Sequence, residues 1–224
     1  MTRIWKLASL AIATLTLALV LVAAGCGGSS TAQVRLMNAF LGQSTVDMLI
    51  SSKNVASGVI YGSASGYVSV SSGSPNLQID NTGTTNILVN QTISLPAKSD
   101  DTVLTTSFGT VVFTDNNTPP SSGNLEIRVI NASPTLGTAD VYIVPSGTAI
   151  TPGSPTFASL AYQAASGYDS LPAGSYEVIF TQPGQAFAVI DSNPLSFSAG
   201  QIRSIVGLDG QNGGFTTAVL SDLN

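Results

Sequence analysis

Two Arg–Asp pairs with the same spacing are the first candidates for chemistry in this sequence. Arg35 is followed by Asp47, and Arg128 by Asp140, twelve residues later in both cases. If each pair spans neighbouring strands of a hairpin, which turns near residues 41–43 in the first case, the opposite charges can pair across the ladder. Such a pair stabilises a sheet by roughly 0.2–1 kcal/mol. The spacing therefore predicts structural ion pairs within each hairpin, and a functional charged site is the alternative.

Asparagine and tyrosine recur in the same way. Asn38 and Asn131 end apolar stretches where the chain must turn, so we expect their side chains to bond the backbone of the turn. Tyr67 and Tyr168 each follow a glycine. A tyrosine in this position can bury its ring while its hydroxyl bonds a backbone group. A carbohydrate-stacking platform is the alternative for these two rings.

Oxygen-rich segments are the remaining candidates for a site. Asp100 and Asp101 are adjacent, and residues 209–212 read Asp-Gly-Gln-Asn. Calcium needs 6–8 oxygen ligands, but neither segment has the spacing of a calcium-binding loop, and Asp-Gly is a common turn sequence. Glu126 and Glu177 are the only glutamates, and nothing singles out a pair of carboxylates for glycoside hydrolysis. We therefore predict a turn at Asp209-Gly210 and structural roles for the other carboxylates, rather than metal or catalytic sites.

Composition excludes several classes of enzyme. The 224 residues include no histidine and one cysteine, which removes Ser-His-Asp triads, Cys-His dyads and histidine-bound zinc. No serine lies in a Gly-x-Ser-x-Gly motif. The net charge of −5 disfavours contact with nucleic-acid phosphates. The sequence predicts a protein that is not an enzyme, with no catalytic, cofactor-binding or metal-binding residues and no nucleic-acid partner.

The single cysteine ends a segment that is typical of bacterial lipoprotein signals. Residues 1–25 contain a basic start, an apolar run and small residues directly before Cys26. We expect cleavage there, lipid attachment to Cys26, and a flexible tether over 26–32. A membrane-spanning helix and an ordinary secretory signal are the alternatives. The prediction is an extracytoplasmic protein of the cell envelope, held to the membrane by its lipid. Gly27 favours the outer membrane if the host has one.

The rest of the chain contains an internal repeat. Residues 34–39 read Val-Arg-Leu-Met-Asn-Ala, and residues 127–132 read Ile-Arg-Val-Ile-Asn-Ala. Near the ends of the two copies, 110–115 and 217–222 also correspond, and both of these segments end in aspartate. The offset between copies grows along the chain, which indicates loop insertions in the second copy, one of them at 145–155.

The repeat divides the exported part into two domains of similar length. We predict a first domain over 33–118, a proline-containing linker over 119–124 and a second domain over 125–224. Short apolar segments separated by Gly, Pro, Asn and Ser predict strands, and no segment after the signal has a helical period. In the second copy these strands are 125–132, 138–144, 157–162, 166–171, 175–181, 186–191, 195–198, 201–208 and 215–221.

The pattern predicts an all-β protein with two tandem antiparallel β-sandwiches after the signal segment. A single large barrel built from both copies is the alternative. The repeated motif Val/Ile-Arg-x-x-Asn-Ala, the following Val/Ala-Asp segments and Leu-Pro-Ala-Gly-Ser-Tyr at 171–176 resemble an uncharacterised bacterial cell-surface family. That family is catalogued as domain of unknown function 4397. The resemblance is clearest over 125–182, and it implies immunoglobulin-like or transthyretin-like sandwiches on exported proteins, often in tandem, with no known activity.

Two functions remain open at this point. The first is a lipid-anchored envelope protein with a structural or interaction role and an unknown envelope protein or glycan as partner. The alternative is an extracytoplasmic protein that binds a glycan or small molecule with loops of the second domain, chiefly 145–155.

Overall fold

The computed structural model describes residues 30–223, and Thr31–Asn224 form one compact unit. The predicted signal peptide and Cys26 lie outside the described residues. The described chain consists of strands and connecting loops, and it includes no helix with the length and hydropathy needed to span a bilayer.

The first half of the described chain is a sandwich of two four-stranded sheets. Its strands are β1 (Thr31–Ala39), β2 (Thr45–Ile50), β3 (Lys53–Ile60), β4 (Val68–Ser71), β5 (Asn76–Asn81), β6 (Ile87–Thr92), β7 (Asp100–Thr106) and β8 (Gly109–Thr114). One sheet has the order β4-β1-β7-β8 and the other has the order β3-β2-β5-β6. Every pairing is antiparallel except that between β1 and β7.

The second half repeats this topology. Its strands are β9 (Asn124–Asn131), β10 (Ala139–Pro145), β11 (Phe157–Leu160), β12 (Ala164–Ala165), β13 (Asp169–Pro172), β14 (Gly174–Thr181), β15 (Ile190–Asp191), β16 (Leu195–Phe197), β17 (Ile202–Asp209) and β18 (Phe215–Leu223). One sheet contains β9, β12, β13, β17 and β18, with β9 parallel to β17. The other contains β10, β11, β14, β15 and β16. The predicted all-β fold with two tandem sandwiches is confirmed, and the barrel alternative is not what forms.

Two predicted strands of the second half are shorter than expected. Residues 166–171 were expected to form one strand, but β12 and β13 leave a gap over 166–168. The gap arises because the hydroxyl of Ser166 accepts the hydrogen bond of Val129 N–H at 2.9 Å, where a backbone carbonyl would continue the ladder. Only residues 190–191 of the predicted strand 186–191 are paired, and Phe187 is 61% exposed.

Each half has its own apolar core. In the first half, the alternating residues Val34 and Leu36 of β1 point into a cluster completed by residues such as Val46, Leu77 and Val103. The corresponding cluster of the second half is built on β9, β10, β14 and β17. Because side chains alternate along a strand, Arg35, between Val34 and Leu36, and Met37, after Leu36, point to the opposite face of the sheet.

That opposite face is also buried. A third apolar cluster joins the two halves and consists of Met37, Ala39, Leu104, Ile130, Ala132, Val206, Leu208, Ala218 and Leu220. The sheets that contain β1 and β9 therefore pack against each other, and their central strands are covered on both sides. We call these two sheets the front sheets. The predicted domain boundaries at 118 and 125 stay predictions.

Candidate functional site

Four charged side chains are buried between the front sheets. Arg35 and Arg128 lie on β1 and β9, and Asp115 and Asp222 lie at or just beyond the ends of β8 and β18. The arginine side chains are 3% exposed and the aspartate side chains are 0% exposed. We call these four residues the charge cluster. Since the two charges of each sign balance, the cluster is formally neutral, which buried ions require.

The ion pairs of the charge cluster cross from one half to the other. Arg35 donates through Nη2 to Oδ1 of Asp222, and through Nη1 to the carbonyl oxygen of Ser221 at 2.8 Å. Arg128 donates through Nη2 to Oδ1 of Asp115. Its Nη1 donates to the carbonyl oxygen of Thr114 at 3.2 Å. Each half thus supplies the cation for the other half's carboxylate.

The ion pairs predicted within each hairpin are wrong. The carboxylate of Asp47 accepts hydrogen bonds from the backbone N–H of Gly58 and the hydroxyl of Thr82, both at 2.7 Å. The prediction failed because β1 and β2 belong to different sheets, so that Arg35 and Asp47 are not on neighbouring strands.

The second predicted pair fails for the same reason. Asp140 on β10 accepts hydrogen bonds at 2.8 Å from the backbone N–H groups of Ser159 and Gly184. Ser159 lies in β11, the strand next to β10, and Gly184 lies in the loop between β14 and β15, whereas Arg128 lies on a front sheet. Both aspartates therefore bond the backbone of their own half rather than an arginine.

Two hydroxyl residues orient the arginines from the neighbouring parallel strand. The Nε of Arg35 donates to the Thr102 hydroxyl at 2.8 Å, and that hydroxyl donates to Oδ2 of Asp115 at 2.6 Å. In the second half, the Nε of Arg128 donates to the Ser204 hydroxyl at 3.0 Å, and Ser204 donates to Oδ2 of Asp222 at 2.7 Å. Sequence reasoning missed both hydroxyls.

The repeated tyrosines complete the charge cluster. The guanidinium carbon of Arg35 lies 4.6 Å from the ring centre of Tyr67, and that of Arg128 lies 4.9 Å from the ring centre of Tyr168. The Tyr67 hydroxyl donates to Oδ2 of Asp115 at 2.5 Å, and the Tyr168 hydroxyl donates to Oδ2 of Asp222 at 2.9 Å. Carboxylates therefore accept from both hydroxyls, and the Tyr168 hydroxyl also bonds a backbone group as predicted, because it accepts from the N–H of Asn116 at 3.2 Å. A cation therefore covers one face of each ring.

Burial and the neighbouring charges set the protonation states around the cluster. Burial alone would lower the pKa of Arg35, but the carboxylates of Asp222 and Asp115 outweigh it and raise that pKa. Burial, reinforced by the charge of Asp115, also raises the pKa of Tyr67, and burial raises the pKa of Tyr168. Arg35 and the two tyrosines therefore stay protonated at neutral pH.

The repeated asparagines behave as predicted. Oδ1 of Asn38 accepts the hydrogen bond of Phe40 N–H at 3.0 Å, and Oδ1 of Asn131 accepts that of Ser133 N–H at 3.2 Å. Their amide groups donate to carbonyl oxygens, in the first case to Val59 at 2.9 Å. The prediction that both side chains bond the backbone of the turns is confirmed.

The acidic segments are occupied by internal hydrogen bonds. Asp209 accepts from the hydroxyls of Ser133 and Thr135, the latter at 2.6 Å. Asp101 accepts from the hydroxyls of Ser99 and Thr114, the latter at 2.8 Å. Within residues 30–223, no group of three or more His, Cys, Asp or Glu side chains is placed to hold a metal ion.

The two glutamates bond different segments of the chain. Glu126 accepts from the amide of Asn116 at 2.8 Å. Glu177 accepts from the hydroxyl of Ser146 and the N–H of Gly147, both at 3.1 Å, and so anchors the start of the 145–155 loop. They lie on strands of different sheets, Glu126 on β9 and Glu177 on β14.

A comparison with protein-family models accounts for the internal repeat. One model matches twice, at residues 32–142 and 128–224, and its description is "Domain of unknown function (DUF4397)". The chain belongs to this family. The tandem repeat of DUF4397 that the sequence resemblance implied is confirmed, and no curated protein matches the chain.

Solved structures share only a general likeness with this DUF4397 protein. A family 26 carbohydrate-binding module of Eubacterium rectale Amy13K, in complex with maltoheptaose, is 10% identical at a TM-score of 0.28, covering 87% of this chain and 98% of its own. Family 41 carbohydrate-binding modules from streptococcal virulence factors are 14% identical at a TM-score of 0.29, with coverages of 84% and 96%. The Bacillus anthracis TIE protein is 9% identical at 0.26, with coverages of 84% and 34%.

Proposed function

We propose that this protein is a lipid-anchored, non-catalytic module of the cell envelope, in which two sandwiches act together as one rigid spacer or interaction body. The observation that carries this proposal is the charge cluster. Its arginines and aspartates are all paired across the contact between the halves. A group that is buried and paired in this way is not free to attack or bind a substrate, so its contribution is to hold the halves in one orientation.

The apolar contact between the front sheets supports the same role. Met37, Leu104, Ile130 and Val206 are fully buried there. Separating the halves would expose these side chains to water and leave four charges without partners, and both changes cost free energy. The two sandwiches therefore resist independent movement, which is the property that a spacer needs.

The anchor would hold this body close to the membrane. Strand β1 begins at Thr31, five residues after Cys26. A fully extended chain spans at most about 3.6 Å per residue, so five residues give a tether no longer than roughly 18 Å. A tether of this length would keep a lipid-anchored protein at the membrane surface and would give it little reach of its own.

Replacement of Cys26 tests the anchor. In the membrane fraction of cells that express the full gene, mass spectrometry should find Cys26 as the N-terminal residue with lipid attached. The Cys26→Ser variant should lose the lipid and its tight membrane association, while the matched control Ser29→Ala should behave as wild type. An unmodified Cys26 in the membrane fraction would contradict the anchor. Turnover of an ester or glycoside by a soluble 31–224 fragment would contradict the non-catalytic role.

A second candidate function is glycan binding through exposed aromatic rings. Phe108, at the β7–β8 turn, is 71% exposed and meets the ring of Tyr162 edge-on at 5.9 Å between centres. Exposed apolar rings on a loop often mark a binding surface. A glycan array with wild type, Phe108→Ala and a deletion of 145–155 separates the cases. A hit that Phe108→Ala removes supports the aromatic pair, a hit that the deletion removes supports the loop, and no hit supports the spacer.

A further inference from the structure

The charge cluster and the apolar cluster between the front sheets have the form of a two-fold symmetric dimer interface. In such an interface the same patch on both partners is self-complementary, so that each contact occurs twice with the roles reversed. We propose that the front sheet of each half is a homotypic docking face, through which a half of this chain can pair with the same half of a second copy. Two copies could thereby exchange partners and form a dimer.

The polar contacts of the charge cluster satisfy this symmetry. Within its own half, each aspartate accepts from one tyrosine and one hydroxyl residue, as Asp115 does from Tyr67 and Thr102. Asp222 does the same with Tyr168 and Ser204. These contacts prepare each carboxylate to receive an arginine, and they do not depend on which half supplies that arginine.

The contacts between the halves are likewise reciprocal. Arg35 donates to the carboxylate of Asp222 and to the carbonyl oxygen of the preceding residue, Ser221. Arg128 donates in the same way to the carboxylate of Asp115 and to the carbonyl oxygen of Thr114. If a second copy of the second half replaced the first half, Arg128 of each partner would meet Asp222 of the other. Each guanidinium of the charge cluster would then face acceptors of the same type.

The apolar residues of the front sheets are also compatible with the pairing of two equivalent halves. Corresponding positions of the two halves hold residues of the same character, namely Met37 and Ile130, Leu104 and Val206, and Phe113 and Leu220. Because the residues within these pairs differ in size, two like halves would pack less well than the unlike halves do. We expect like halves to associate roughly ten- to a hundredfold more weakly. In the intact chain the linker favours the unlike pair through its high effective concentration. Like pairs should therefore form only when the halves are released from each other.

Cleavage of the full chain between the halves tests this proposal. A specific protease site is inserted between Thr118 and Pro119, which are both exposed. The cleaved protein is unfolded in urea, refolded by dilution and examined by native mass spectrometry, where the two halves differ in mass. We expect pairs of first halves and pairs of second halves beside the unlike pair. Unlike pairs alone, or unpaired halves, would overturn the proposal.

A single substitution shows whether like pairs use this face. Asp222→Asn should reduce pairs of second halves at least tenfold, because each Arg128 would lose its carboxylate, and it should not reduce pairs of first halves, which contain no Asp222. The control is Asp191→Asn, an exposed aspartate of the same half, which should change neither pair. If Asp222→Asn left pairs of second halves unchanged, those pairs would use another surface and the proposal would be wrong.

Discussion

Replacing Asp222 with asparagine removes the negative charge that Arg35 contacts while keeping the size of the side chain. Arg35 then remains buried, with Asp115 at 3.6 Å as its nearest carboxylate. Loss of one partner of a buried ion pair costs about 3–5 kcal/mol of unfolding free energy. Because Asp115 still compensates part of the charge, we expect a value near the lower limit, about 3 kcal/mol. For a protein of this length, that corresponds to a melting temperature lower by roughly 6–12 °C.

A double-mutant cycle then decides which aspartate is the partner of Arg35. We expect Arg35→Met and Asp222→Asn to be coupled by about 1–3 kcal/mol, because both remove the same ion pair. Arg35→Met and Asp47→Asn should add within about 0.5 kcal/mol, because Asp47 bonds the β3 backbone and Thr82 instead. Urea unfolding followed by circular dichroism measures all five variants. Coupling to Asp47 that exceeded coupling to Asp222 would refute the pairing between the halves.

Two further predictions concern packing and pH. A Cβ atom on Gly207 would lie 2.7 Å from the fully buried ring of Phe180, so Gly207→Ala should cost about 1–3 kcal/mol in thermal unfolding. Gly66→Ala, where a Cβ meets nothing within 4 Å, is the matched control, and equal effects would contradict this reasoning. Burial raises the pKa of Tyr61 to about 12 and also raises that of Tyr67. Because the folded protein favours the neutral phenols, its stability should be full below pH about 10, where unfolded tyrosine titrates, and should fall as the pH rises above that value. Ultraviolet titration of tyrosinate, compared with the loss of circular dichroism, measures this, and tyrosines that all ionise near pH 10 without unfolding would contradict it.

Much of the fold could be predicted because β-structure leaves local signals. The repeated segments at 34–39 and 127–132 became the equivalent strands β1 and β9, and the asparagines that end these segments bond their turns as expected. These features depend on residues that are near one another in the chain. The parallel pairing of β1 with β7 and of β9 with β17 had no such signal, since the paired strands are far apart in sequence.

The charge cluster shows why the site itself could not be predicted in full. Asp115 and Asp222 were visible as equivalent ends of the repeat, but nothing in their local sequence indicated that they receive arginines from the opposite half. The nearer aspartates, Asp47 and Asp140, were the natural candidates if consecutive strands formed a hairpin. The chain instead passes from one sheet to the other between β1 and β2, and between β9 and β10.

The amino-acid sequence alone thus determined the duplication, the strand content and the alternation that gives β1 and β9 one apolar and one mixed face. Tertiary structure alone decided that the mixed faces meet each other and that each arginine crosses to the other half. The physical reason is that alternation is a property of neighbouring residues, whereas a buried charge is tolerated only where a distant part of the chain supplies its counter-charge.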